Sequence, residues 1–92
     1  MKTLRLSGCI LVPEEDLAAV NAALAEHIDN TRAEEGCIRF EVTVDPNNAA
    51  RFNVLEEFRD REAFEHHQKR TGASHWATVS SRASRHYEIT EN

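Results

Sequence analysis

From residue 3 to residue 12 apolar and polar side chains alternate: Leu4, Leu6, Ile10 and Val12 share one face, Gly8 interrupts it, and Arg5, Ser7 and Cys9 take the other. A period of two predicts a half-buried strand. The period then lengthens. Pro13 followed by Glu14, Glu15 and Asp16 predicts a helix start, because proline misses no amide there and acids favour the positive end of the helix dipole. Leu17, Val20, Leu24, Ile28 and Thr31 follow at helical spacing, with His27 on the margin of the stripe and Asp29 and Arg32 away from it. Gly36 predicts the stop.

Alternation resumes with Ile38, Phe40, Val42 and Val44 against Arg39, Glu41 and Thr43, and Asp45-Pro46-Asn47-Asn48 predicts the turn into a second strand from Arg51. Phe52, Val54 and Phe58 form the apolar row of that strand, and Glu56 sits among them. A carboxylate in such a row must be paired, protonated or chemically used, since burying an unpaired charge is costly. Asp60 predicts the N-cap of a helix running through Lys69 and ending near Gly72, with Phe64 and His67 on one face. Ser74 caps a further helical piece with His75, Trp76 and Val79, and Arg85 to Thr90 closes the chain as a strand with Tyr87 and Ile89 against His86 and Glu88. The order β-α-β-β-α-β in a single domain, residues 1–92, predicts an α+β, ferredoxin-like split βαβ fold with an antiparallel sheet. Both helices would cover one face; the other, carrying Cys9, Leu11 and Leu55 among polar residues, would call for a second copy and a homodimer.

The net charge is -5, with 11 Lys and Arg scattered along 92 residues, so there is no basic face for nucleic acid. No apolar run reaches membrane-spanning length, and the amino terminus lacks the apolar core and cleavage site of a signal peptide, which predicts a soluble cytoplasmic protein. Cys9 and Cys37 lie outside any CxxC pattern and are read as small buried thiols. The five histidines show neither HxxxH nor two-His-carboxylate spacing, so no metal is expected; no nucleotide-binding glycine loop is present, so no flavin is expected either.

Several short pieces taken in order resemble the antibiotic biosynthesis monooxygenase family. They are Glu34-Glu35-Gly36 leading into Arg39-Phe40-Glu41-Val42, then Asp45-Pro46, Arg51-Phe52, Glu56, Phe58, Asp60, Ala63 and His67, and finally His75 with Trp76. The chain is similar to quinol monooxygenases of that family, and to the isomerase of the phosphorylated autoinducer-2 dione, in which a His precedes the Glu-Glu-Gly turn as His27 does here. The resemblance implies a dimeric α+β barrel and oxygenation without metal or flavin. Haem-degrading members would show an Asn on the first strand, where this chain has Ser7 and Gly8.

Chemistry of that kind needs a substrate able to reduce dioxygen once deprotonated, and a protein that supplies a base, an apolar enclosure and donors for the developing anion. The expected catalytic set is His67, Glu56 and His75, with Glu56 orienting His67 as the base. His27, Phe40, Phe52, Phe58, Phe64 and Trp76 would bind the substrate, a small phenolic, quinol or polyketide-like molecule that reacts with dioxygen. Two alternatives stay open: an isomerase of a small hydroxy-dione, for which Arg32, Arg39, Arg51 or Arg70 would meet a phosphate, and a non-catalytic dimeric ligand-binding module in which Glu56 and His67 are a structural pair. His66 is read as solvated, and His86, which alternates away from Tyr87 and Ile89, is given no site role.

Overall fold

The computed structural model describes residues 2–92. The chain forms β1 (Leu4–Leu11), a 3-10 turn (Glu14–Asp16), α1 (Leu17–Arg32), β2 (Cys37–Asp45), β3 (Asn48–Phe58), α2 (Arg61–Gly72), the short α3 (His75–Val79) and β4 (Ser84–Glu91). The strands lie in the order β2-β3-β1-β4, every neighbour antiparallel, which is the split βαβ arrangement. Asp60 caps α2 by accepting from the Ala63 amide at 2.8 Å, and Ser74 caps α3 through the Ala77 amide.

The closed barrel implied by the resemblance is not what this chain's sheet forms. Its sheet is open, with β2 and β4 as the two edges. Four strands with the ordinary twist between neighbours are too few to curl round and meet. Pattern and packing also part company at the edges. Ile38 was expected on the buried face with Phe40 but is 54 % exposed, because a register shift between Cys37 and Arg39 takes it out of the alternation and lets Cys37 pack against the core. Val44, near the hairpin end of the same edge strand, is 47 % exposed. The hairpin is tighter than read: β3 begins at Asn48, leaving Pro46 and Asn47 between the strands. Cys9 is buried, Cys37 is only half-buried, and both thiols are free.

The core is one layer between sheet and helices, built on Leu4, Leu6, Ile10, Phe52, Val54 and Phe58 of the two central strands and on Val20, Phe64 and Trp76 above them. Two glycines set how closely its parts approach. At Gly8 φ is +152°, and an added Cβ would lie 1.9 Å from the His86 carbonyl oxygen, so only glycine lets β4 pair there. At Gly36 an added Cβ would sit 2.3 Å from that of Ala63, so its absence lets the first turn of α2 close on the Glu34–Gly36 turn. Among the described residues no helix is long and apolar enough to cross a membrane.

Candidate active site

The strand register sets out rows of side chains beneath the helices. Phe40, Glu56, Leu6 and Ile89 form one row; Val42, Val54, Gly8 and Tyr87 form the next. With no side chain at Gly8, the second row has a gap between Val54 and Tyr87. Over these rows lies a cavity of ≈ 90 Å³, reached by Phe40, Val54, Glu56, Arg85 and Tyr87 from the sheet, His67, Gln68 and Thr71 from α2, His27 from α1 and Trp76 from α3.

His67 is held from one side by a carboxylate 33 residues away. Its Nδ1 lies 3.1 and 3.2 Å from the two oxygens of Glu34, which is buried and also accepts from Arg70 Nε. Arg70 Nη2 donates to Thr31 Oγ1 at 3.1 Å, and that hydroxyl donates to the His27 carbonyl at 2.8 Å, so the carboxylate is braced against α1. An ionised carboxylate only accepts; the proton therefore sits on Nδ1 and the lone pair on Nε2. Nε2 in turn lies 3.8 Å from Glu56 Oε1, beyond hydrogen-bond length. The sequence reading gave Glu56 the orienting role. Glu34 has it instead, because Gly36 brings the turn up against α2.

Burial pulls the His67 pKa below its usual value against the opposing attraction of Glu34, so the ring is neutral at pH 7. Glu56 is raised to about 7, chiefly by burial and then by the Glu34 charge. Without a hydrogen bond from His67 to offset it, desolvation wins. Tyr87 stands on the edge strand and is 36 % exposed; desolvation of its hydroxyl against the sheet and the Glu56 charge still push its pKa up, and it remains a phenol. The site thus joins a neutral base, a carboxyl that keeps its proton near neutrality, and one guanidinium, that of Arg85, which is held by Ser80 through Nη1 to the carbonyl at 3.2 Å and Nη2 to Oγ at 2.7 Å.

A sequence model of antibiotic biosynthesis monooxygenases matches residues 6–79. The chain belongs to the antibiotic biosynthesis monooxygenase family. Solved structures agree with that fold. A conserved protein of unknown function from Bacteroides thetaiotaomicron VPI-5482, described as a possible oxidoreductase, is 22% identical, with 99% of this chain and 98% of that one covered and a TM-score of 0.78. Protein SO0527 from Shewanella oneidensis is 30% identical over 99% of this chain and 90% of that one, with a TM-score of 0.73. A putative antibiotic biosynthesis monooxygenase from Nitrosomonas europaea reaches a TM-score of 0.77 at 15% identity, covering 100% of this chain and 96% of that one. Among curated proteins no match was found.

Within this antibiotic biosynthesis monooxygenase domain the expected site residues separate into three places. His67, Glu56, His27, Phe40 and Trp76 reach the cavity. Phe52, Phe58 and Phe64 are buried core that does not line it; Phe58 bears on the His67 ring at 4.9 Å and Phe64 on Phe58 at 5.7 Å, so these two back the imidazole. His75, at the start of α3, is exposed and opens on a separate cleft of ≈ 250 Å³ between α1, α2 and α3. Among the described residues no cluster of three or more His, Cys, Asp or Glu side chains is arranged to hold a metal. Of the arginines considered for a phosphate, Arg32 is spent on the Phe40 carbonyl at 2.9 and 3.1 Å, and Arg39 and Arg51 bond Glu41 and Asn53. Sequence reasoning missed Glu34, Gln68, Thr71, Arg85 and Tyr87. The alternation did place Arg85 on the face of Tyr87, and Glu34 stood within the Glu-Glu-Gly piece that carried the resemblance.

Proposed function

We propose that the domain is a cofactor-independent monooxygenase of a small phenolic, quinol or polyketide-like molecule, with His67 as the base. The single observation that carries this reading is the Glu34–His67 bond, which leaves the Nε2 lone pair of a buried, neutral imidazole on the side of the cavity. In this reading Nε2 takes the substrate's hydroxyl or enol proton, and Glu34 stabilises the imidazolium. The resulting anion, beside the Arg85 guanidinium and the Tyr87 hydroxyl, is electron-rich enough to reduce dioxygen. The anion and O₂ form a carbon–oxygen bond and the imidazolium returns its proton to the peroxide, giving a hydroperoxide at a ring or methylene carbon that keeps one hydrogen. His67 Nε2 then removes that hydrogen as a proton while Glu56, raised to about 7, protonates the departing oxygen, so the O–O bond breaks and O₂ ends as one carbonyl oxygen and one H₂O.

Oxygen consumption with a hydroquinone or an enolisable cyclic ketone, stoichiometric with product and lost in His67→Ala, would support the reading. No oxygen uptake with any such compound would end it. The pairing of a base with a neighbouring carboxyl also favours a second reading, isomerisation of a hydroxy-dione, in which His67 removes a proton beside one carbonyl and Glu56 returns one to its neighbour. That reaction consumes no oxygen, which separates the two.

A further inference from the structure

His27 and Trp76 stack face to face, with centroids 4.5 Å apart and planes 3° from parallel, and both side chains line the cavity of ≈ 90 Å³ on one side and the cleft of ≈ 250 Å³ on the other. We propose that cavity and cleft are two compartments of one site, partitioned by this stacked pair, which parts to admit a ring bearing an uncharged hydrogen-bonding arm, the ring going inward and the arm staying in the cleft. The proposal rests on the phenolic reading above. Three observations carry it. First, an apolar cavity that accepts benzene measures about 150 Å³, whereas the inner compartment measures ≈ 90 Å³ and opens beside the exposed Gln68, Arg85 and Tyr87, so a ring lying wholly within it, with dioxygen beside it, needs space taken from the His27–Trp76 side. Second, His27 Nδ1 is buried with no hydrogen-bond partner, the one such side-chain atom among the described residues, and it lies in the partition itself. Buried polar atoms are nearly always satisfied, so an unsatisfied one marks where a ligand group belongs. Burial, together with the charges of Arg70 and Arg85 and the nearby His67, holds His27 at about 4, so at neutral pH it offers one donor and one acceptor without charge.

Third, the cleft presents donors and acceptors in balance. Arg70 bonds Glu34 and Thr31 through Nε and Nη2, leaving Nη1 without a partner among the described residues, while Asn30 offers both a donor and an acceptor and Glu26 offers acceptors. Glu26 opposes the one cation, so a carboxylate arm gains little there. A carboxamide matches both kinds of group.

Trp76 is the chain's single tryptophan, so its emission reads the partition directly. Hydroquinone and 2,5-dihydroxybenzamide would be titrated anaerobically into wild type, Ala22→Phe, which narrows the cleft from an exposed position on α1, and the milder Asn30→Ala. The amide should bind wild type at least tenfold more tightly than hydroquinone and shift the Trp76 emission, and that ratio should fall towards one in both variants. Equal binding of the two compounds, a ratio unchanged in Ala22→Phe and Asn30→Ala, or no emission change with either compound overturns the proposal. Oxygen uptake, measured separately, tests the monooxygenase reading: binding as described without oxygen uptake would sink that reading and leave the two compartments standing.

Discussion

Replacing Glu34 by Gln tests the core of the site, because it keeps the size of the group that holds His67 while removing its charge. In the native site the carboxylate lies 3.1 Å from Nδ1 and is buried, so in the proposed reaction the imidazolium would be stabilised by a charge-assisted hydrogen bond. Such bonds contribute about 1.5–3 kcal/mol. At about 1.4 kcal/mol per factor of ten, kcat in oxygen uptake should fall roughly 10- to 150-fold while the far-ultraviolet dichroism is retained. The pH profile carries a second signature. The base must be neutral and the acid protonated, so the rate rises as His67 loses its proton and falls as Glu56 ionises. The Glu34 charge raises both pKa values, so Glu34→Gln should move both limbs to lower pH, the falling limb from about 7 towards the ordinary carboxyl range. Initial rates measured from pH 4 to 9 with an oxygen electrode decide it. An unchanged kcat with an unmoved profile would refute the role given to Glu34 and the tautomer argued from it.

His67→Ala should lose turnover about 10²- to 10⁴-fold and stay folded, Glu56→Gln should lose less, and the double variant should be no slower than the worse single one, in steady-state oxygen uptake. If both single variants merely unfold, the two groups are a structural pair and the catalytic assignment fails. Glu56 is raised in the folded state, so its contribution to stability is greatest below pH 4.5 and is lost as pH rises to about 7, costing about 3 kcal/mol above that; Glu56→Gln should therefore be more stable than wild type at pH 8 and not at pH 4, by urea denaturation. His27 is depressed, so its contribution is present above pH 6.5 and lost as pH falls to about 4, and His27→Gln should flatten the acid limb of the same stability curve. Gly8→Ala should cost about 3 kcal/mol or more by forcing β4 away from β1, and a wild-type denaturation midpoint would contradict the close approach to His86.

Local chemistry alone determined where the elements lie and which face of each is apolar. The period of two through Leu4, Leu6 and Ile10 and through Phe52, Val54 and Phe58, the cap at Asp60 and the spacing of Phe64 with His67 all follow from backbone geometry that nearest neighbours impose, and together they turned Glu56 and His67 towards the same layer. Whatever depends on contacts between distant segments was out of reach. A one-residue register shift expelled Ile38, because alternation along β2 says nothing of how β2 pairs with β3. The pattern put Glu56 and not Glu34 beside His67, yet the packing of Gly36 against Ala63 brings Glu34 to His67, and Glu56 stays beyond a hydrogen bond. The direction of the Glu56 pKa shift was out of reach for the same reason: it is set by whether desolvation or a partner dominates, a contest decided by ångström distances across the fold. His75 and Trp76 are adjacent in the chain, but one turn of α3 sends the indole into the core and leaves the imidazole outside, on the far side of a partition that exists only once three helices meet over the sheet.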